Sequence, residues 1–146
     1  MRQRGMVPGY KWLHRERALP SMAEAAALEI QPTDQVLRLK RLRTADGTPI
    51  AIEQTVLPGD VIASPELIGD SLYAALHQLN AAPVTGWQRI RADIMSAEEA
   101  KLMRAKPGAA MLVIERRCLR ANGRPVEFTE TRYNGAFYDF STGLQA

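Results

Sequence analysis

Apolar and polar residues alternate along two stretches of the chain, and each stretch is divided by a turn signal. From Val36 to Leu57 the residues on either side of Asp46-Gly47 alternate with the period of two that is typical of β-strands. An Asp-Gly pair between such runs is among the strongest hairpin signals. The stretch from Met111 to Tyr133 is divided in the same way at Asn122-Gly123. The pattern therefore predicts two β-hairpins.

A strand and a short helix are predicted before each hairpin. The strands run from Tyr10 to Leu19 and from Gly86 to Met95. A serine followed three residues later by glutamate is the capping-box pattern, and it predicts helices from Ser21 to about Ile30 and from Ser96 to about Ala105. The same order of elements thus occurs twice.

The two halves also resemble each other residue by residue. A shift of about 75 positions aligns Trp12 with Trp87, Glu24 with Glu99 and Pro32 with Pro107. This agreement indicates a duplicated strand-helix-hairpin unit. Because hairpins need only antiparallel neighbours, we expect an α+β fold with a largely antiparallel six-stranded sheet and flanking helices.

The first strand of the first hairpin carries two arginines on an otherwise apolar face. Alternate residues share a face of a strand, and here one face consists of Leu37, Leu39, Arg41 and Arg43. Arginines that continue a core-facing row are costly unless an internal carboxylate or a bound anion meets them. A two-residue loop would place Arg41 opposite Ile52. A three-residue loop from Asp46 to Thr48 would place Arg41 opposite Glu53, and we favour it because it pairs the charges.

Further candidate residues lie in the middle and at the end of the chain. The segment from Pro58 to Pro83 has no counterpart in the repeat, and it includes a predicted helix with Ser71 and Tyr73 near an N-terminus that suits an anion. Alternatively, these two residues only cap and pack. Glu127 and Tyr133 share a face of the last strand, which is either a polar wall that reads hydroxyl groups or an ordinary solvated face. The aromatic segment from Phe137 to Phe140 is expected to anchor the core.

Composition narrows the functional classes. The 146 residues, 46% hydrophobic and 24% charged, suit one domain, and a net charge of +3 tolerates an anionic partner. No apolar run approaches the roughly 20 residues of a membrane span, so we expect no membrane partner and a cytoplasmic location. We expect no metal site and no cofactor, because the chain has a single cysteine, Cys118, and two isolated histidines, His14 and His77. No catalytic motif is present, and we expect no enzymatic activity.

Together, three groups of residues resemble a known family. The groups are Arg41 to Glu53, Ser71-Leu72-Tyr73, and Ile114-Glu115-Arg116 with Asn122 to Glu127. They resemble the UTRA domain, the effector-binding domain of the HutC branch of GntR-type bacterial transcription regulators. The resemblance implies a chorismate-lyase-like fold, a small-molecule effector that is an acid or a phosphorylated metabolite, homodimerisation, and a regulator that acts as a repressor.

The resemblance also assigns roles. It implies that Arg41 and Arg43 take the anionic group of the effector, that Ser71 and Tyr73 meet it at the helix start, and that Glu53, Glu127 and Tyr133 select the rest. Residues 1–9 are expected to be the end of an interdomain linker and residues 10–146 the UTRA domain. Operator DNA would be bound only through an N-terminal winged-helix domain that is absent here. Two rival classes stay open, a chorismate-lyase-like enzyme acting on an acidic substrate and a ligand-free dimerisation module.

Overall fold

The structure is a computed structural model that describes residues 5–61, 74–76, 79 and 81–145. Over these residues the strands and helices follow the order that the repeat predicts. The first half contains β1 (Pro8–Ala18), α1 (Met22–Leu28), β2 (Val36–Ala45) and β3 (Thr48–Pro58). The second half contains β4 (Pro83–Ile94), α2 (Ala97–Met103), β5 (Ala110–Arg120) and β6 (Pro125–Asn134).

The six strands form one antiparallel sheet in the order β1-β2-β3-β6-β5-β4. Each half contributes three neighbouring strands, and the halves join along β3 and β6. The order reads the same from either edge when the halves are exchanged, as a duplicated unit requires. The predictions of an α+β fold, a six-stranded antiparallel sheet and a duplicated unit are confirmed.

Both helices have the predicted capping boxes. In α2 the Ser96 hydroxyl accepts a hydrogen bond from the Glu99 backbone N–H at 3.1 Å, and the Ser96 N–H donates to Glu99 Oε1 at 3.0 Å. Ser21 and Glu24 make the same pair of contacts in α1. Each helix has only seven residues, so the caps satisfy a large share of its free backbone N–H groups.

We expect Ser96→Ala to lower the free energy of unfolding by about 1 kcal/mol, because the first turn of α2 loses its hydrogen-bond acceptor. Urea denaturation measures the change. Thr142→Ala, at an exposed position outside the helices and strands, serves as the control. A Ser96→Ala midpoint equal to that of the control would contradict a stabilising role for the cap.

The first hairpin has the predicted charge pairing but not the predicted loop. Arg41 lies opposite Glu53 and Arg43 opposite Ala51, as expected. The loop, however, has two residues, Asp46 and Gly47, both with positive φ (49° and 79°). The register is shifted by a β-bulge instead, because Thr44 pairs with Pro49 and leaves Ile50 as an extra residue. The three-residue loop was therefore wrong, and the bulge aligns the charges.

Opposite faces of the sheet are covered by different parts of the chain. Both helices pack on one face, where Leu28 of α1 joins Val36 and Val56, and Met103 of α2 joins a second cluster. The other face carries a cluster of Leu37, Leu39, Leu57, Cys118 and Val126, together with Leu76 and Ala81. Leu76 and Ala81 belong to the segment between the halves. These two residues therefore lie on the face that carries the two arginines.

Candidate functional site

Arg41 and Arg43 share one carboxylate. Arg41 Nε donates to Glu53 Oε1 at 2.9 Å, and Arg43 Nε donates to Glu53 Oε2 at 3.0 Å. Two adjacent strands position the three side chains, since Arg41 pairs directly with Glu53 across β2 and β3. The structure therefore brings together three of the residues that the sequence singled out.

The three side chains carry a net positive charge, and two of them are buried. Arg41 and Glu53 are each only 7% exposed, whereas Arg43 is partly open to solvent. Burial by itself would raise the pKa of Glu53, but the charges of Arg43 and Arg41 outweigh it and leave that pKa below its usual value. Glu53 is thus ionised at neutral pH. Within this group of three side chains, two guanidinium groups face one carboxylate, and the net charge of the group is +1.

Aromatic rings from the neighbouring strand hold Arg41. Its guanidinium carbon lies 5.3 Å from the ring centres of both Tyr10 and Trp12. Among the described residues, no group accepts a hydrogen bond from its buried Nη1. Sequence reasoning missed these two aromatic residues. Tyr10 and Trp12 alternate along one strand, but the pattern did not show that this strand lies beside β2.

Glu127 is buried and is held by other residues. The Thr129 hydroxyl donates to Glu127 Oε2 at 2.6 Å, and Arg116 Nη2 lies 3.5 Å from the same oxygen. The Thr129 hydroxyl also lies 3.0 Å from that of Thr55 on β3. Glu127 therefore lies on the predicted face, within a network that reaches across the join between the halves.

A cavity of about 620 Å³ opens on this face. Of the predicted site residues, Arg43, Glu53 and Tyr133 line it, whereas Arg41 and Glu127 are not in its described lining. The other polar side chains from the strands are Gln88, Arg116, Thr129 and Thr131. Arg116 and Gln88 were missed, although the pairing of β5 with β6 places Arg116 beside Thr129. The cavity draws on both halves of the sheet.

The aromatic segment after β6 forms one wall of the cavity. Phe137, Tyr138 and Phe140 line it, and the two phenylalanines are 44% and 47% exposed. The expectation that this segment anchors the core was wrong. Tyr138 instead stacks on Tyr133 with ring centres 3.8 Å apart, which directs the segment over the sheet. Burial is the main cause that raises the pKa of Tyr133, so its hydroxyl stays protonated at neutral pH.

Ser71 and Tyr73 lie outside the described residues. Two described residues of the same segment, Leu76 and Ala81, pack in a cluster with Leu37, Leu39 and Leu57. Within the described ranges, no three His, Cys, Asp or Glu side chains are grouped to hold a metal ion. In the same part of the chain, no helix has the length and apolar character needed to cross a membrane.

Comparison with known proteins identifies the family. A family model described as UTRA domain matches residues 3–139. The chain is 26% identical to the HTH-type transcriptional repressor NagR of Bacillus subtilis, an alignment that covers 96% of this chain but 59% of NagR. It therefore spans less than two thirds of that relative.

Solved structures have the same fold. The effector domain of PhnF from Mycobacterium smegmatis aligns with a TM-score of 0.90 and 23% identity, over 99% of this chain and 91% of that one. A GntR-family transcriptional regulator from Enterococcus faecalis aligns with a TM-score of 0.75 and 26% identity, over 95% of this chain and 99% of that one. The chain therefore belongs to the UTRA domain family.

Proposed function

We propose that this chain is the effector-binding domain of a bacterial transcription regulator and that its cavity takes an acid or a phosphorylated metabolite. The observation that carries the proposal is the pair of arginines that share Glu53 beside the cavity. The family and its named regulators support the coarser part of the proposal, a regulator domain that binds an effector.

The charge balance favours an anionic ligand group. Arg41 and Arg43 carry two positive charges, and Glu53 compensates one of them. An anion at Arg43 would neutralise the remaining charge at a position that solvent only partly screens. Because Arg43 lines the cavity and Arg41 is buried behind Glu53, Arg43 would make the direct contact and Arg41 would hold Glu53 in place.

The rest of the cavity suits a hydroxylated ligand. Glu53, Thr129 and Thr131 offer acceptors and hydroxyl groups on one side, and the stacked rings of Tyr133 and Tyr138 form an apolar surface on the other. We propose that Tyr133 contacts the ligand and that Glu127 positions Thr129 and Arg116. Ser71 and Tyr73 would complete the site from the connecting segment.

Regulation would follow from differential binding to two states. A ligand that bridges both halves and the connecting segment favours the state in which they are closest. We propose that the domain forms a homodimer and that an N-terminal winged-helix domain, outside this chain, binds operator DNA as a repressor. Effector binding would then change the spacing of the two DNA-binding domains.

We expect Arg43→Ala to weaken the binding of an acidic effector by about tenfold to a hundredfold, since a charge-assisted contact contributes roughly 1.5–3 kcal/mol. Thermal-shift screening of sugar phosphates, carboxylates and inorganic phosphate would identify a stabilising ligand. Calorimetry with that ligand would then measure the affinity of the variant.

Arg89→Ala is the matched control, because Arg89 is an exposed arginine that pairs with Glu115 and is not in the described lining of the cavity. If the Arg43→Ala protein and the unmodified protein bound the ligand with equal affinity, Arg43 would not be part of the binding site. A screen without any stabilising compound would favour the ligand-free dimerisation module. Release of pyruvate from chorismate would favour the enzyme.

A further inference from the structure

The duplication gives each half of the sheet an arginine at the same position. In the first half, Arg41 of β2 lies directly opposite Glu53 of β3. In the second half, Arg116 of β5 lies directly opposite Thr129 of β6. The two arginines lie on opposite sides of the join between β3 and β6. The halves of the cavity can therefore be compared position by position.

The first half has a second arginine where the second half has a neutral residue. The shift that aligns Arg41 with Arg116 also aligns Arg43 with Cys118. Cys118 is 7% exposed and packs among apolar side chains. Burial raises the pKa of its thiol to about 11, so this side chain is uncharged at neutral pH. At these two positions the second half thus carries one positive charge, whereas the first half carries two.

The arginine of the second half is already compensated. Arg116 Nη2 lies 3.5 Å from Oε2 of Glu127, whose side chain is only 1% exposed. A carboxylate buried so completely depends on a nearby cation, because water does not screen its charge. This pair is neutral, unlike the group around Arg43. Asp139, on the exposed segment after β6, adds a further carboxylate to the described lining of the cavity.

Arg116 nevertheless has N–H groups that a ligand can reach. Its side chain is 41% exposed and lines the cavity. Gln88 lies directly opposite it on β4 and lines the cavity as well. Guanidinium and amide N–H groups both donate to oxygen atoms. Together these two side chains can bind a hydroxyl or carbonyl oxygen without requiring that it carry a charge.

We propose that the effector carries one anionic group, bound at Arg43, and that Arg116 and Gln88 bind a neutral oxygen at its other end. The inference rests on the proposed function, because both contacts lie in the same cavity. β2 and β5 are three inter-strand spacings apart, about 14 Å, so the two contacts engage opposite ends of the ligand. A second anionic group is rejected, because it would meet a compensated arginine and a buried carboxylate.

Inorganic phosphate tests the difference between the two arginines. In an NMR titration at constant ionic strength, we expect the side-chain Nε–H signal of Arg43 to shift about fivefold or more further than that of Arg116. Arg43→Lys and Arg116→Lys proteins assign the two signals. Equal shifts would overturn the inference while keeping the anion site of the proposed function. A shift at neither arginine would refute that anion site and the inference with it.

Glu127→Gln tests the compensation of Arg116. Glutamine keeps the size of the side chain and removes its charge, so phosphate should now shift the Arg116 signal severalfold further than in the unmodified protein. Glu130→Gln is the matched control, because Glu130 lies on the same strand but lines a different cavity, on the helix face. A folded Glu127→Gln protein whose Arg116 signal responds no more than that of the control would overturn the inference.

A matched pair of ligands tests the neutral end and needs no variant. Sorbitol 6-phosphate and 6-phosphogluconate share a phosphate and an open chain of six carbons, but the first ends in a hydroxyl group and the second in a carboxylate. We expect calorimetry to show about tenfold or more tighter binding of sorbitol 6-phosphate. Equal or tighter binding of 6-phosphogluconate would overturn the inference. So would a result in which neither compound binds more tightly than inorganic phosphate, because no group would then be bound at Arg116.

Discussion

Replacing Glu53 by glutamine should lower the free energy of unfolding by about 3–5 kcal/mol. Glutamine keeps the size of the side chain and removes its charge, which leaves the buried Arg41 without a compensating carboxylate. Removing one partner of a buried ion pair is far more destabilising than the net contribution of the pair, because the remaining charge stays desolvated. Urea denaturation at pH 7 measures the change.

The destabilisation by Glu53→Gln should depend on pH in a defined direction. The pKa of Glu53 in the folded protein is below its ordinary value, so the unfolded chain binds the proton more readily. The stabilisation is therefore present above the unfolded-state pKa of about 4.3 and is lost as the pH falls through the folded-state pKa. The difference between the two proteins should shrink in acid. Glu130→Gln, whose carboxylate is 35% exposed, is the control and should cost less than about 1 kcal/mol. Equal effects of the two substitutions would show that Glu53 does not compensate Arg41.

Leu76→Ala should lower the free energy of unfolding by about 2–5 kcal/mol. Leu76 is fully buried and packs in the cluster with Leu37, Leu39 and Leu57. Truncation removes apolar burial and leaves a cavity between the connecting segment and the sheet. Thermal and urea denaturation measure the loss, and hydrogen exchange along β2 shows whether the segment still covers that face.

The same segment supplies the control for Leu76→Ala. Leu79 is 46% exposed, so Leu79→Ala should change stability by no more than about 0.5 kcal/mol. A loss from Leu76→Ala below about 1 kcal/mol would mean that the segment is not firmly packed on the sheet. The proposal that it completes the effector site would then lose its structural support.

Charge and strand periodicity together predicted the centre of the candidate site. The alternation of Leu37, Leu39, Arg41 and Arg43 fixed their common face, and the need to compensate buried arginines selected Glu53 as the partner. The loop was wrong because a bulge at Ile50 and a longer loop shift the register equally. Sequence therefore predicted which residues pair, but not the local geometry that pairs them.

The remaining parts of the site depend on which strands are neighbours. Tyr10 and Trp12 hold Arg41 because β1 lies beside β2, and Arg116 meets Glu127 because β5 lies beside β6. The alternation of residues along a strand shows which side chains share a face, but it does not show the order of the strands in the sheet. The aromatic segment after β6 was misjudged for a related reason, since an aromatic run is compatible with a core anchor or with a cavity wall.

The pairing of β3 with β6 also bears on the order in which the chain folds. Each strand-helix-hairpin unit can form from contacts that are close in sequence, whereas the join connects residues far apart, such as Thr55 and Thr129, which are 74 positions apart. Contacts of such long range carry the largest loop-closure entropy, so we expect them to form late in folding. Because the cavity takes its lining from both sides of the join, we expect each half to acquire its structure before the molecule acquires the candidate site. The proposed binding of an effector would then become possible only at the last folding step.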